Sequence, residues 1–214
     1  MTTPKRGLLY HFTHISNLAS IAEHGLFCDG AIETDQADLL TTEVAEPSIK
    51  AKRRRRPVPA GPGGVVADYV PFYFSARSPM LGAIHSGRVP SYPDGQDAVI
   101  YLITDIQRLL AAGTEFVFTD RNAALEVARY GTDLTLLDEF VDWPLMEGKM
   151  WHNTEDQPGR MERRMAEFLV HRHVPWHAFL GIAAINDQRC RVATDVLASV
   201  GISTQVRSRP GWYF

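Results

Sequence analysis

The sequence predicts a mixed fold in which short β-strands alternate with α-helices. Apolar and aromatic stretches bounded by Gly, Pro and polar residues recur along the chain, as is typical of buried strands. Between them, apolar residues recur at helical spacing behind Ser, Asp or Ser-Pro starts. The composition, 45% apolar and 22% charged, is that of an ordinary globular protein. The alternation by itself leaves a doubly wound parallel sheet open.

Length, charge and cysteine content indicate a single-domain protein without a membrane partner. The 214 residues suit one domain, which we place at residues 1–214. The net charge of −3 predicts no global attraction for nucleic acid, so any such site must be a local basic patch. We expect no membrane partner, because no apolar run approaches a membrane span and residues 1–7 lack a signal-peptide core. Cys28 and Cys190 lie far apart, as expected for reduced thiols of a cytoplasmic protein.

Residues 8–14 predict a first strand that is followed by a short helix. Side chains alternate along a strand, so His11 and Thr13 project from the same face. Ser16 is expected to cap the helix and Gly25 to end it. His11 is either a buried core histidine or half of a pair that faces a ligand, and by itself the core interpretation is the better one.

Residues 50–56 form a dense basic segment, with six Lys or Arg side chains in seven positions. Its start can be helical, whereas the Pro/Gly-rich residues that follow cannot be. The segment is either a solvated charge run or a phosphate-binding site. We favour phosphate, because like charges this dense repel one another unless an anion binds them.

An aromatic strand is predicted at residues 68–75. Tyr73 faces opposite to Phe72 and Phe74, which leaves a ring available for stacking. A helix is then predicted to start at Ser78-Pro79 and to end before Gly87, because Pro suits the first helical turn.

Two further strands, at residues 98–103 and 115–119, frame a helix that Asp105 caps. The second strand runs into a polar corner, after which we expect a helix as far as Tyr130. Helix capping explains one member of this corner but not the cluster, and loops at such positions typically carry binding groups. The cluster consists of Thr119, Asp120, Arg121 and Asn122.

The most informative stretch is the predicted strand at residues 166–170. Glu167 at its start is either a solvated strand end beside Arg163 and Arg164 or a fixed anion at a sheet edge. A fixed anion stabilises the cation that develops when a glycosidic bond breaks. Beyond it we expect a strand at 180–185, a helix at 187–200 and a terminal strand at 203–207. For residues 132–160 we expect a short helix and then a loop that contains Trp143, Trp151 and His152.

Several classes of site are excluded by their motifs. The chain has no G-x-x-x-x-G-K-[ST], no G-x-G-x-x-G after a strand, no H-E-x-x-H and no paired C-x-x-C. His171 and His173 share a strand face, but no further ligands accompany them. We therefore expect no metal site.

The remaining motifs resemble, in order and over nearly the whole chain, the DarT family of DNA ADP-ribosyltransferase toxins, which are paired with a macrodomain antitoxin called DarG. The resemblance implies an α+β fold: the ADP-ribosyltransferase fold, with two packed, mostly antiparallel sheets, flanking helices and NAD between them. That expectation replaces the doubly wound sheet. The motifs are Tyr10-His11-Phe12-Thr13-His14-Ile15, Asn17-Leu18, residues 68–74, 77–81, 116–121, 166–170 and Trp212-Tyr213-Phe214.

The resemblance also implies roles for individual residues. His11, Thr13 and the nearby Asn17 correspond to positions that hold the nicotinamide end of NAD, and the ring of Tyr73 is assigned to the same site. The catalytic arginine and glutamate correspond to Arg53 and Glu167. DNA contacts are assigned to Arg54, Arg55, Arg56, Thr119, Arg121 and Asn122.

The implied reaction attaches ADP-ribose to a thymine ring nitrogen in single-stranded DNA. An unstacked base suits single strands, and Arg53 would stabilise the incipient base anion while Glu167 stabilises the ribosyl cation. The family's corner carries a histidine where this chain has Asn122, so guanine stays open as a target. A transferase that acts on RNA or protein, and a nucleic-acid-binding module without catalysis, also stay open.

Overall fold

The computed structural model describes residues 7–34 and 36–214, so the expectation about a leader segment falls largely outside the described residues. The strands are β1 Leu8–His14, β2 Leu26–Phe27, β3 Tyr69–Tyr73, β4 Val99–Asp105, β5 Phe116–Thr119, β6 Tyr130–Gly131, β7 Glu167–His171, β8 His173–Val174, β9 Gly181–Ala184 and β10 Val206–Ser208. The helices are α1 Leu18–His24, α2 Asp29–Thr34, α3 Pro47–Arg53, α4 Pro79–His85, α5 Ile106–Ala111, α6 Leu137–Phe140, α7 Trp143–Glu147, α8 Arg160–Arg164 and α9 Asp187–Ser199.

An eight-stranded sheet with the order β10-β9-β4-β1-β3-β7-β5-β6 forms the centre of the molecule, and β2 pairs with β8 beside it. All neighbouring strands are antiparallel except β9 and β10, which are parallel. The α+β class is therefore confirmed. The two sheets of the expectation correspond to two halves of this sheet, since β1 and β3 share one register pair, Tyr10 with Tyr73.

Alternation along the strands separates two apolar cores. In β4, Ile100 and Leu102 pack into the core that contains α1 and α9. Val99 and Tyr101 point the other way and pack with α4 and the C-terminal aromatic residues. The period of two in the sequence thus determines which helices cover each face of the sheet.

Many local predictions are confirmed. β1 has the expected bounds, and α1 ends at Gly25, whose φ of +83° is one that glycine tolerates well. The Ser78 side chain accepts a hydrogen bond from Leu81 N at the start of α4. The Asp105 carboxylate caps α5 in the same way, by accepting from Arg108 N.

Two predictions near helix starts are wrong. Ser16 does not cap α1; it lies inside a 3₁₀ turn, and its hydroxyl donates to Thr42 Oγ1. The helix expected up to Tyr130 is absent, and residues 121–129 form turns. Side chains there take the backbone N–H groups that a helix would use, as when Asn122 Oδ1 accepts from Ala124 N.

The position of Glu167 also differs from both expectations. β7 lies inside the sheet, between β3 and β5, rather than at a sheet edge. Glu167 is 2% exposed, so it is not a solvated strand end. Among the helices of the described chain, none is both long and apolar enough to cross a bilayer.

Candidate active site

A cavity of about 510 Å³ opens where the two halves of the sheet meet. Residues of β1, β3 and β7 line it together with α1, α3, α4 and the segment 39–46. The fold brings together seven of the predicted site residues at this cavity, from positions that are far apart in the chain. They are His11, Thr13, Asn17, Arg53, Tyr73, Asn122 and Glu167.

Glu167 is held on both carboxylate oxygens. Oε1 accepts from Arg53 Nη1 at 2.8 Å, and Oε2 accepts from the backbone N–H of Ala123 at 2.9 Å. Its own backbone N–H donates to Thr119 Oγ1 at 3.1 Å. The carboxylate therefore has one orientation beside the cavity, as required of a group that acts by fixed charge.

Arg53 is the last residue of α3 and is 7% exposed. Burial lowers the pKa of Arg53, but the carboxylates of Glu167 and Asp29 outweigh it and hold the pKa above its ordinary value. The guanidinium therefore stays charged and cannot serve as a base. Its Nη2 is buried with no hydrogen-bond partner among the described residues, so one donor is free for a ligand.

His11 presents one ring nitrogen to the cavity. Nδ1 lies 2.8 Å from the carbonyl oxygen of Pro71, so Nδ1 carries the proton and Nε2 is free to accept. Burial lowers the pKa of His11, which favours this neutral form. His11 and Thr13 lie on the same face of β1, as alternation along a strand predicts, and both line the cavity.

Tyr73 lies opposite Glu167 in the β3–β7 register and lines the same cavity. Its ring stacks on Phe12 with centroids 6.0 Å apart and an angle of 12° between the planes. Burial, together with the charge of Glu167, raises the pKa of the Tyr73 hydroxyl, which stays protonated. Phe72 and Phe74 pack into the opposite core, as the sequence predicts.

Asn17 reaches the cavity wall, but its amide is fully engaged. Nδ2 donates to Thr13 Oγ1 at 3.0 Å and to the Thr42 carbonyl at 2.8 Å. Oδ1 accepts from the N–H groups of Thr41 and Thr42, both at 2.9 Å. The side chain is thus placed to fix the loop at 41–42 and the Thr13 hydroxyl, with no amide donor left over for a ligand.

The basic segment is largely neutralised by the protein's own carboxylates. Lys50 is buried beside Asp29, Glu33 and Glu43. Arg54 pairs with Glu33, and Arg56 lies 3.4 Å from a Glu126 carboxylate oxygen. Arg55 is exposed, and none of Arg54, Arg55 and Arg56 lines the cavity. Carboxylates of the protein itself thus supply part of the negative charge that we expected from bound phosphates.

The polar corner divides into buried and accessible members. Thr119 is fully buried, and its hydroxyl donates to the Arg121 carbonyl while it accepts from Glu167 N. Thr119 therefore positions the start of β7, and its buried side chain cannot contact DNA, which corrects the assignment of a DNA contact to it. Arg121 pairs with Asp120 at 3.1 Å, while Asn122 lines the cavity with its Nδ2 3.7 Å from the Met165 sulfur.

Sequence reasoning missed several residues at the cavity. Arg88 lines it, donates through Nε to Ser86 Oγ, and has no carboxylate partner in the described part of the chain. Trp151 and His152 lie at the cavity wall, stacked 4.2 Å apart. No sequence motif marks a single arginine in a loop or a Trp-His pair as part of a site. Only tertiary contacts bring these residues to the cavity. Within residues 7–34 and 36–214, no cluster of His, Cys, Asp or Glu is placed to hold a metal ion.

This fold and this site define an ADP-ribosyltransferase, an enzyme that takes ADP-ribose from NAD. A family model described as "ssDNA thymidine ADP-ribosyltransferase, DarT" matches residues 10–214. The chain belongs to the DarT family, as its motifs suggest, and it is an NAD-dependent enzyme that ADP-ribosylates single-stranded DNA.

Similar proteins cover the chain from end to end. A DNA ADP-ribosyl transferase of Thermus sp. (strain 2.9) is 36% identical over 218 residues, which span 100% of this chain and 99% of the relative. The solved structure of Thermus sp. 2.9 DarT in complex with ADP-ribosylated ssDNA matches with a TM-score of 0.89, 34% identity and coverage of 100% and 99% of the two chains. The same Thermus DarT in complex with NAD+ matches with a TM-score of 0.86, 33% identity and full coverage of both.

Proposed function

We propose that this chain transfers ADP-ribose from NAD to thymine in single-stranded DNA at the cavity that Glu167 and Arg53 line. The observation that carries this assignment is their buried pair, in which Glu167 is oriented on both oxygens and Arg53 keeps one free donor. The bond between nicotinamide and the ribose anomeric carbon breaks and nicotinamide leaves. A thymine ring nitrogen forms the new bond, and its proton passes to solvent.

Glu167 acts on the donor side of this reaction. Positive charge develops on the ribose as nicotinamide departs, and a fixed carboxylate nearby stabilises it. Because Arg53 and Ala123 N–H already orient the carboxylate, no reorganisation is needed as the charge forms. His11 Nε2 accepts a hydrogen bond from NAD, and the Tyr73 ring lies across the cavity from it.

Arg53 acts on the acceptor side. A thymine imide nitrogen is a weak nucleophile until its proton leaves, and a permanent cation beside it favours the anionic base. The free Nη2 supplies a donor at a fixed angle for a base carbonyl. The Arg53→Lys variant should transfer ADP-ribose poorly, because an ammonium keeps the charge but loses the planar guanidinium fork.

The pyrophosphate of NAD is an anion that a cation at the cavity can bind. Of the cavity-lining cations that the structure describes, Lys50 and Arg53 are engaged by carboxylates, whereas Arg88 is bonded only to Ser86 Oγ. We assign Arg88 to the NAD phosphates, since a guanidinium matches phosphate with two parallel hydrogen bonds.

The choice of base depends on Asn122. Its Oδ1 accepts from Ala124 N and one Nδ2 hydrogen faces the Met165 sulfur, so one Nδ2 donor remains for the cavity. Thymine offers a carbonyl on each side of its ring nitrogen. Guanine offers one such carbonyl and is the alternative. Mass spectrometry of oligonucleotides that carry a single thymine or a single guanine, after incubation with NAD, decides between them. Modification of guanine alone would overturn the thymine assignment, while Glu167→Gln should modify either base about a hundredfold more slowly or worse.

The remaining assignments follow the family. We propose that the enzyme is a toxin held in check by a DarG-like macrodomain antitoxin, and that it acts in the cytoplasm, consistent with two free cysteines. DNA contacts by Arg54, Arg55, Arg56 and Arg121, a single domain at residues 1–214 and catalysis without a metal stay predictions. Co-expression with and without the antitoxin, with growth as the readout, tests the pairing.

A further inference from the structure

A row of aromatic rings and a cation extends beside the cavity, with the buried Trp151 as its base and the exposed rings of His152 and His85 at its ends. The exposed ring of His152 stacks on Trp151 at 4.2 Å, and Trp151 meets Phe214 edge-on at 6.2 Å. Phe214 stacks with the exposed His85 at 5.9 Å, and the Arg77 guanidinium lies over its ring at 4.5 Å. We call these five residues, His152, Trp151, Phe214, His85 and Arg77, the aromatic platform. It begins at the cavity, because Trp151 and His152 both line it.

Hydrogen bonds to the backbone fix the two segments that carry the platform. Arg77 has a φ of +54°, a conformation that a non-glycine residue rarely adopts, and its backbone N–H donates to the Tyr101 hydroxyl at 3.2 Å. The buried guanidinium of Arg164 donates to the carbonyls of Ala76 at 3.0 Å and Gly148 at 2.7 Å. One side chain therefore ties the segment before Arg77 to the segment before Trp151, so the two sides of the platform stay in register.

The charge on the platform is available to a ligand. No carboxylate in the described part of the chain pairs with Arg77, whereas Arg54 and Arg56 of the basic segment both lie beside glutamates. Positive charge without an internal partner thus accompanies ring faces at this surface. A polyanion with flat bases, a nucleic-acid single strand, matches both features, since bases stack on rings and phosphates pair with cations.

We infer that the single-stranded DNA substrate runs from the cavity along the aromatic platform, with a flanking base stacked on His152 and a phosphate bound by Arg77. This inference rests on DNA as the acceptor and adds the path of the strand, which lies away from residues 54–56. His152 reads no base edge, so it should strengthen binding of any sequence, whereas Arg77 should contribute a salt-dependent part of the affinity.

The test uses fluorescence anisotropy with two labelled single strands, one of ordinary nucleotides and one in which every nucleotide except the central thymidine is abasic. His152→Ala should weaken binding of the ordinary strand about fivefold or more, as expected for one lost base stack, and leave the abasic strand unchanged. Arg77→Asn should weaken both strands and reduce the slope of log affinity against log salt by about 0.7. Asn also tolerates the positive φ, so the variant should keep its fold.

Controls separate this inference from the proposed function. Arg191→Ala, an exposed arginine on α9, which packs on the other face of the sheet, should bind both strands like the wild type. Calorimetry with ADP-ribose should give the wild-type affinity for Arg77→Asn. If the wild type modifies thymine while both platform variants bind DNA normally, the strand path is wrong and the function stands. Equal loss on both strands for His152→Ala would overturn the stacking role.

Discussion

At the scale of single residues, the site is organised by Glu167. Each of its carboxylate oxygens accepts one hydrogen bond, from Arg53 and from Ala123 N–H, and neither partner is near it in the chain. Burial of a charge is tolerated only when it is paired and hydrogen-bonded, and both conditions hold here. The same contacts that allow the carboxylate to be buried also aim it at the cavity.

Glu167→Gln and Glu167→Ala should therefore fail in different ways. The glutamine variant keeps the shape and one acceptor, so it should fold while its single-turnover transfer falls about a hundredfold or more. The alanine variant also leaves Arg53 buried without its partner, which should cost about 3–5 kcal/mol of unfolding free energy. Thermal denaturation beside a transfer assay measures both. Near-normal transfer by a folded glutamine variant would contradict the assignment.

His11 predicts a pH dependence with a definite sign. Burial lowers its pKa in the folded protein below the ordinary value of about 6.5, so between these values the unfolded chain binds the proton and the folded protein does not. Its stabilising contribution is complete above about pH 6.5 and is lost as the pH falls towards the lowered pKa.

NAD affinity should follow the protonation state of His11 in the folded protein. It should be flat from pH 8 down to about 6.5 and weaken only at lower pH, where Nε2 becomes a donor and can no longer accept. Calorimetry across this range measures it, with His11→Gln expected to lose the acidic limb. A decline centred above pH 6.5 would contradict the lowered pKa.

At the scale of elements, the turns at residues 121–129, rather than a helix, position the Glu167 carboxylate through Ala123 N–H. Asp120 is 5% exposed and accepts from the side chains of Arg121 and Arg129 and from Arg129 N. Burial raises the pKa of Asp120, but these donors outweigh it and keep the pKa below its ordinary value. This cluster shapes the loop that carries Ala123 N–H to Glu167, so Asp120 is a positioning residue.

Asp120→Asn should loosen that loop without touching NAD. Loss of charge-assisted hydrogen bonds should cost about 1.5–3 kcal/mol of unfolding free energy, and kcat should fall while the KM for NAD changes little. Asp133→Asn is the matched control, because Asp133 caps an exposed turn by accepting from Thr135 N. A rise in KM at unchanged kcat would mean that the loop binds NAD rather than orienting Glu167.

At the scale of the whole molecule, the surface charge opposes strong nonspecific binding. The chain carries a net charge of −3, and ion pairs occupy Lys50, Arg54 and Arg56 of its basic segment. Attraction for DNA must therefore come from a few local cations together with base stacking.

The salt dependence of DNA binding should accordingly be shallow. Two or three phosphate contacts give a slope of log affinity against log salt of about −1.5 to −2 on single strands. Titration of a labelled single strand between low and moderate salt measures it. A slope steeper than about −4 would mean that the basic segment releases its glutamates and binds phosphates, which would restore the interpretation of residues 50–56 as the main DNA contact.

The sequence by itself determined what depends on neighbours along the chain. The bounds of β1, the caps at Ser78 and Asp105, and the shared face of His11 and Thr13 follow from local periodicity and capping chemistry, which operate within a few residues. The order of motifs along the chain likewise indicated the family and its α+β fold, which the comparisons confirm.

Only the tertiary structure decided which groups meet. Arg53 and Glu167 are 114 residues apart in the chain, and no spacing rule predicts their ion pair or its burial. The helix expected after Asp120 was wrong because side-chain acceptors from that residue and Asn122 took its backbone donors. The basic segment was interpreted as free charge because the glutamates that neutralise it, Glu33, Glu43 and Glu126, are contributed by other parts of the fold. Charge in a sequence is available to a ligand only where packing leaves it without an internal partner, because buried and half-buried ions are paired within the folded protein.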